Sequence, residues 1–168
     1  MAVPDQKLTT APPAGDVAKD GEIFASLYPS LRRYAAIIGS LSDNPDDLVQ
    51  EAVARTLATT SLAQLSSPGA YLRRTISNLV INGARSDTTQ RGRTHMIVGD
   101  SESYDTYPSD LDLLERLGPI ERGAVFLADV EGRPFGEVAE ILGCTPVAAR
   151  LRAARGRRRL RQSIEVER

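Results

Sequence analysis

The stretch Pro134–Arg150, PFGEVAEILGCTPVAAR, decides how the chain is read. Phe135, Val138, Ala139 and Leu142 recur at helical spacing and offer one apolar face to a core. Ala139 is small, which lets a second helix cross closely. Gly143 permits a sharp reversal of the chain. Thr145 is a good N-cap residue, and Pro146 suits the first position of the helix that follows. The pattern is that of a helix-turn-helix, whose second helix enters a major groove. That helix and its extension carry Arg150, Arg152, Arg155, Arg157, Arg158, Arg159 and Arg161, with no acid between Thr145 and Gln162. Seven like charges repel one another in a free helix, and DNA is the natural polyanion to compensate them. They surround the helix, so they cannot all face one duplex. Arg150 and Arg152 lie nearest its N-terminal half, where base edges are read. Arg155 and those beyond it are expected to meet phosphates or a partner protein.

Outward from this stretch the chain reads as helices throughout, with no period-two segment long enough for a strand. Residues 1–20 hold three prolines and little periodicity, and are expected to form a disordered tail. Ile23, Phe24, Leu27, Leu31, Ala35 and Ile38 mark a first helix, with a kink or break expected at Pro29. A turn over Gly39–Pro45 leads to a second helix ending near Thr60, whose Asp46 and Asp47 suit its positive end. A Ser- and Thr-rich loop, Thr59–Pro68, precedes a third helix over Gly69–Arg85. Met96–Glu115 contains six acids and no base, and reads as a linker. Beyond it come a short helix at Leu111–Leu117, a second begun by Pro119 and ending near Gly132, and the helix-turn-helix. The expected architecture is all-α, with a tail at 1–20, a helical bundle at 21–88, a flexible acidic linker at 89–109 and a second bundle at 110–168.

Two faces of the first bundle carry chemistry. On a helical wheel, Tyr71, Arg74, Asn78, Asn82 and Arg85 fall within an arc of about 80°. Leu72, Ile76, Leu79, Val80 and Gly83 form the apolar arc of the same helix. An aromatic ring, two amides and two guanidiniums can stack on an unpaired base, bond its edges and hold phosphates. The second helix buries Leu48, Val49, Ala52, Val53 and Leu57. It exposes Asp47, Gln50, Glu51 and Arg55, an acidic side better suited to docking a protein than DNA.

Composition excludes several function classes. The 168 residues carry 21 Lys plus Arg against 22 Asp plus Glu, so any basic surface must be local. One cysteine, Cys144, rules out an internal disulfide framework and a multi-cysteine zinc site. One histidine, His95, speaks against a histidine metal site or a Ser-His-Asp triad. There is no glycine-rich phosphate loop and no nucleophile–base pair, so no catalytic residue, metal or cofactor is expected. No apolar run is long enough for a membrane span and no signal core opens the chain, so the cytoplasm is the expected compartment.

Four segments, in order, resemble a known family. Asp46–Ala52, DDLVQEA, resembles the D-L-V-Q-E segment of conserved region 2 in bacterial sigma factors. Tyr71–Arg85, YLRRTISNLVINGAR, resembles the W-L-x-x-I-A-x-N-x-x-x-D-x-x-R helix that follows it. Leu117–Arg122, LGPIER, resembles the L-P-x-x-x-R opening of region 4, and the helix-turn-helix follows. With only two modules, the chain looks like an extracytoplasmic-function sigma factor. Departures are Tyr71 for the usual Trp, Asn82 where Asp is common, Val147-Ala148-Ala149 for G-T-V, and Leu151 for Ser.

The resemblance implies a transcription initiation factor that binds core RNA polymerase, directs it to promoters and helps melt the −10 element. It implies Asp47, Gln50 and Glu51 on the β′ clamp helices, with the β flap as a second polymerase contact. It implies Tyr71, Arg74, Asn78, Asn82 and Arg85 on the −10 element, with Thr59–Ser67 as a base-capturing loop. It implies Thr145, Ala149, Arg150, Arg152, Arg155 and Arg158 on the −35 element. An anti-sigma factor is the further partner expected. The rival reading is a helix-turn-helix repressor or activator whose first bundle senses a ligand or dimerises. Such a protein binds a duplex operator alone, whereas a sigma factor needs the polymerase.

Overall fold

The computed structural model describes residues 14–40, 42–90, 114 and 116–166. Its helices are α1 (Ala14–Ile38), α2 (Pro45–Leu57), α3 (Pro68–Gln90), α4 (Pro119–Val125), α5 (Phe135–Leu142) and α6 (Pro146–Val166). A short 3-10 turn, Leu62–Gln64, precedes α3, and α4 widens at its end into a π-helical turn, Phe126–Val130. No strand occurs among the described residues, and the all-α expectation holds. The acidic linker lies outside the described residues except for positions 89 and 90, which close α3. His95 and most of the short helix expected at Leu111–Leu117 lie outside them as well.

Local chemistry sets the boundaries. The Asn44 side chain accepts the Asp46 amide at 2.9 Å, and Pro45 opens α2. Gly143 ends α5 at φ 63°, a left-handed conformation that side chains other than glycine resist. Thr145 Oγ1 then accepts the Ala148 amide at 3.2 Å and starts α6. A Cβ on Gly156 would lie 2.6 Å from a Val125 methyl, so glycine is what lets α6 lie against α4.

Three expectations are corrected. Residues 14–20, expected in the tail, are helical, because α1 begins at Ala14 and Asp20 is buried under the loop after α2; residues 1–13 lie outside the described residues. The first helix runs unbroken through Pro29. The carbonyl that Pro29 leaves without a donor belongs to Ala25; both residues are exposed, so water can satisfy it. In α2, Leu57 is exposed and Thr56 takes the buried place, its hydroxyl donating to the Ala52 carbonyl at 2.8 Å.

The two bundles share a single core. Leu31, Tyr34 and Ile38 of α1 and Leu72 and Ile76 of α3 join Phe126 and Leu127 after α4, Val138 and Ile141 of α5, and Ala149 and Ala153 of α6. Small modules bury a low fraction of their surface, and packing two together raises it. The Tyr34 and Phe126 rings meet across the seam, 6.2 Å between centroids. The Tyr34 hydroxyl is hydrogen-bonded to Ser77 at 2.7 Å, and burial pushes it above its ordinary pKa.

Polar groups complete the seam. The buried Arg122 guanidinium donates to the carbonyls of Ile38 and Gly39, each at 2.8 Å, and so caps the negative end of α1. Arg73, buried in α3, donates to Glu131 at 2.9 Å, and Glu131 also holds Arg133 at 2.5 Å. Within the first module, Asp46 ties α2 to α1 by accepting from Tyr28 at 2.5 Å and Arg32 at 2.8 Å.

Two predictions follow from these contacts. Arg122→Ala leaves two buried carbonyls without donors and should lower unfolding free energy by about 3 kcal/mol in urea titrations. The second concerns pH. The hydrogen bond from Tyr28, aided by Arg32, holds the Asp46 carboxyl below its usual range. A depressed carboxylate stabilises the fold above its unfolded pKa of about 3.9, and that stability is lost as pH falls through the folded value. Asp46→Asn should therefore be less stable than the parent at pH 7, and the difference should close as pH falls below that range.

Candidate nucleic-acid interface

The polar face of α3 forms as its periodicity requires. Tyr71, Arg74, Asn78 and Asn82 are exposed along it. Arg85 falls in α3, and its side chain lies outside the described residues. Arg74 is partly engaged: its guanidinium reaches the Glu140 carbonyl near the end of α5 at 3.4 Å. The second module therefore touches the face that the first would offer to DNA.

Arg73 was not singled out in the sequence, although on the wheel it falls at the edge of the apolar arc of α3. It is 3% exposed and serves the seam rather than a surface.

The loop before α3 is pinned from an unexpected side. Asp20 accepts from the Ser61 hydroxyl at 2.7 Å and from the Ala63 amide at 2.9 Å. Thr59, Gln64, Ser66 and Ser67 remain exposed around that anchor. On α2, Asp47, Gln50 and Glu51 are exposed together, and Glu51 pairs with Arg55 at 2.6 Å.

On α6 the structure sorts the arginines. Arg157 pairs with Asp129 at 3.2 Å and Arg159 with Glu121 at 2.7 Å, so both are turned to acids on or just after α4. Arg150, Arg155, Arg158 and Arg161 are exposed, and Arg152 is half-buried. The Arg150 guanidinium lies over the Phe135 ring, 5.4 Å from its centroid. Thr145 is exposed at the start of the helix. Ala149 is a correction: it is fully buried in the core, so its side chain cannot meet a base. Cys144 is half-buried against the core. Among the described residues no group of three His, Cys, Asp or Glu could hold a metal, and no helix is long and apolar enough to cross a membrane.

The arrangement suits binding to nucleic acid. One module offers stacking and hydrogen-bonding groups, the other a groove-sized helix flanked by cations.

The loop anchor generates a prediction. Asp20→Ala removes the acceptor of the Ser61 hydroxyl and the nearer of two acceptors of the Ala63 amide, leaving that amide only the Ser61 oxygen at 3.2 Å. It should cost about 1–3 kcal/mol and speed hydrogen exchange at the Ala63 amide selectively. Unchanged exchange there would mean that the loop holds its shape without α1.

Comparisons with known proteins identify the family of the two modules. The model of Sigma-70 region 2 matches residues 23–90, and that of Sigma-70 region 4 matches residues 111–160. A probable ECF RNA polymerase sigma factor, SigI of Mycobacterium tuberculosis, is 29% identical over 134 residues, covering 70% of this chain and 46% of that protein. The ECF RNA polymerase sigma factor EcfG of Rhodopseudomonas palustris is 29% identical over 166 residues, 92% of this chain and 89% of that one. RNA polymerase sigma factor CarQ of Myxococcus xanthus is 48% identical over 54 residues, 32% of this chain and 31% of that one. The chain thus spans less than half the length of SigI and most of EcfG. Among solved structures, the sigma factor RpoE in complex with the anti-sigma factor NepR, from Bartonella quintana, has a similar fold. Its TM-score is 0.69 at 21% identity, covering 89% of this chain and 99% of that one.

Proposed function

Since the chain belongs to the sigma-70 family, as a member of its extracytoplasmic-function class, we propose that it is a transcription initiation factor for core RNA polymerase. The observation that carries this reading is the pairing of two exposed faces on one chain. α3 offers Tyr71, Asn78 and Asn82, and α6 offers Arg150, Arg155 and Arg158 beyond the Thr145 cap. Tyr71 stacks on an unpaired base of the −10 element, Asn78 and Asn82 bond base edges, and Arg74 and Arg85 hold the phosphates. α6 enters the major groove of the −35 element. Asp47, Gln50 and Glu51 dock on the β′ clamp helices, and the second module meets the β flap. The factor adds no reaction of its own and acts in the cytoplasm with the polymerase.

The packed seam bears on this activity. Arg74 spends one of its donors on the Glu140 carbonyl, so the end of α5 lies beside the face that would engage the −10 element, and parting the modules would open that face fully. A partner that clasps both modules in the packed form, an anti-sigma factor, would hold the chain off the polymerase.

Run-off transcription with purified core polymerase on genomic fragments tests the reading. Specific transcripts that depend on the chain support it. Operator binding by the chain alone, with no transcripts, would favour the repressor reading instead. Melting is tested by Tyr71→Ala and Asn78→Ala, each expected to cost about 1–3 kcal/mol of base capture. Open-complex formation should fall on duplex promoters far more than on a pre-melted bubble. Equal losses on both templates would assign these residues to packing.

A further inference from the structure

The outermost line of α6 is apolar where it should meet bases. Take Val147 as zero on a wheel of ~100° per residue. The buried Ala149, Ala153, Gly156 and Ser163 then cluster at about 160–240°. Opposite them lie Val147, Leu151, Ala154 and Arg158, within an arc of about 60°. Arg150 and Arg155 flank this line, each about 70° from its centre. Arg152 sits at about 140°, toward the buried side, in agreement with its partial burial.

Val147 is 66% exposed and Leu151 is 52% exposed, and they stand one turn apart in the first two turns of the helix. Scattered apolar side chains on a surface are ordinary. These two are neighbours, they occupy the turns that reach base edges in a helix-turn-helix, and cations border them on both sides. Arg150 is drawn toward α5 by the Phe135 ring, off the central line. The central line of these turns is thus held by their apolar neighbours, Val147 and Leu151, and not by Arg150 or Arg152.

A duplex fits this surface. Its phosphates match the flanking Arg150 and Arg155 and, farther along the line, Arg158, and the major-groove base edges carry one apolar group, the thymine 5-methyl. We propose that Val147 and Leu151 are specificity-determining residues that read thymine methyl groups in the −35 duplex. The proposal rests on the sigma-factor reading and names what one of its faces recognises.

The test uses holoenzyme assembled from the full chain and core polymerase. The probe is the tightest duplex selected from a library randomised across the −35 element. Each of its thymines is replaced in turn by deoxyuridine, which removes only the 5-methyl group. At one or two positions the replacement should weaken binding by roughly three- to tenfold, the scale of one buried methyl in a fitted contact. That penalty should vanish at one position in Val147→Ala and at the other in Leu151→Ala, with helicity unchanged by circular dichroism. Arg158→Ala should weaken thymine and uracil duplexes alike.

A selected site without thymine, or a penalty that persists in both variants, overturns the proposal and leaves the sigma-factor reading standing. Equal binding by the parent and both variants to every duplex also overturns it, and gives the strip to a protein partner. Failure of the polymerase and chain together to select any −35 sequence counts against the underlying reading instead.

Discussion

The guanidinium of Arg122 is buried between the two modules with its donors on the last carbonyls of α1. A helix end in a protein interior leaves carbonyls that need partners, and α1 has no basic residue in its own last turn. The second module supplies the missing charge. Around this contact the Tyr34 and Phe126 rings meet, and the side chains of α1, α3, α4 and α5 close into one core. The Arg73–Glu131–Arg133 chain of ion pairs seals the same seam farther along. Removing one member of such a set leaves another buried charge unpaired, so these residues specify a packing rather than merely add to stability.

That packing treats the two DNA faces differently. The α6 face points away from the seam, and its outward line is open. The α3 face is touched by the end of α5 through Arg74. Acids on and just after α4 also take two of the α6 arginines, Arg157 and Arg159, out of the set available to a duplex. The packed form thus leaves the proposed −35 face of one module open while the proposed melting face of the other is partly occupied.

Much of this was legible in the sequence. The apolar spacing of Leu72, Ile76 and Val80 located the buried side of α3, and with it the exposed row from Tyr71 to Asn82. The Gly143 turn and the Thr145 cap located the helix-turn-helix. Less legible were residues whose partners lie far off in the chain. Asp20 read as tail because nothing near it in sequence accounts for a buried carboxylate; its partners are 41 and 43 residues away. Arg73 read as one of two neighbouring arginines, and its acid lies 58 residues on.

The sequence by itself determined the helices, their two groups, the charged second helix of the helix-turn-helix and the polar stripe on α3. These follow from periodicity and capping, which act within a few residues of one another. The tertiary structure alone decided that the groups share a core, that Ala149 belongs to it, and that Val147 and Leu151 stand outermost on α6. A helical pattern states which residues share a face. Only the neighbouring helices decide which face is covered, and which charges find partners before DNA arrives.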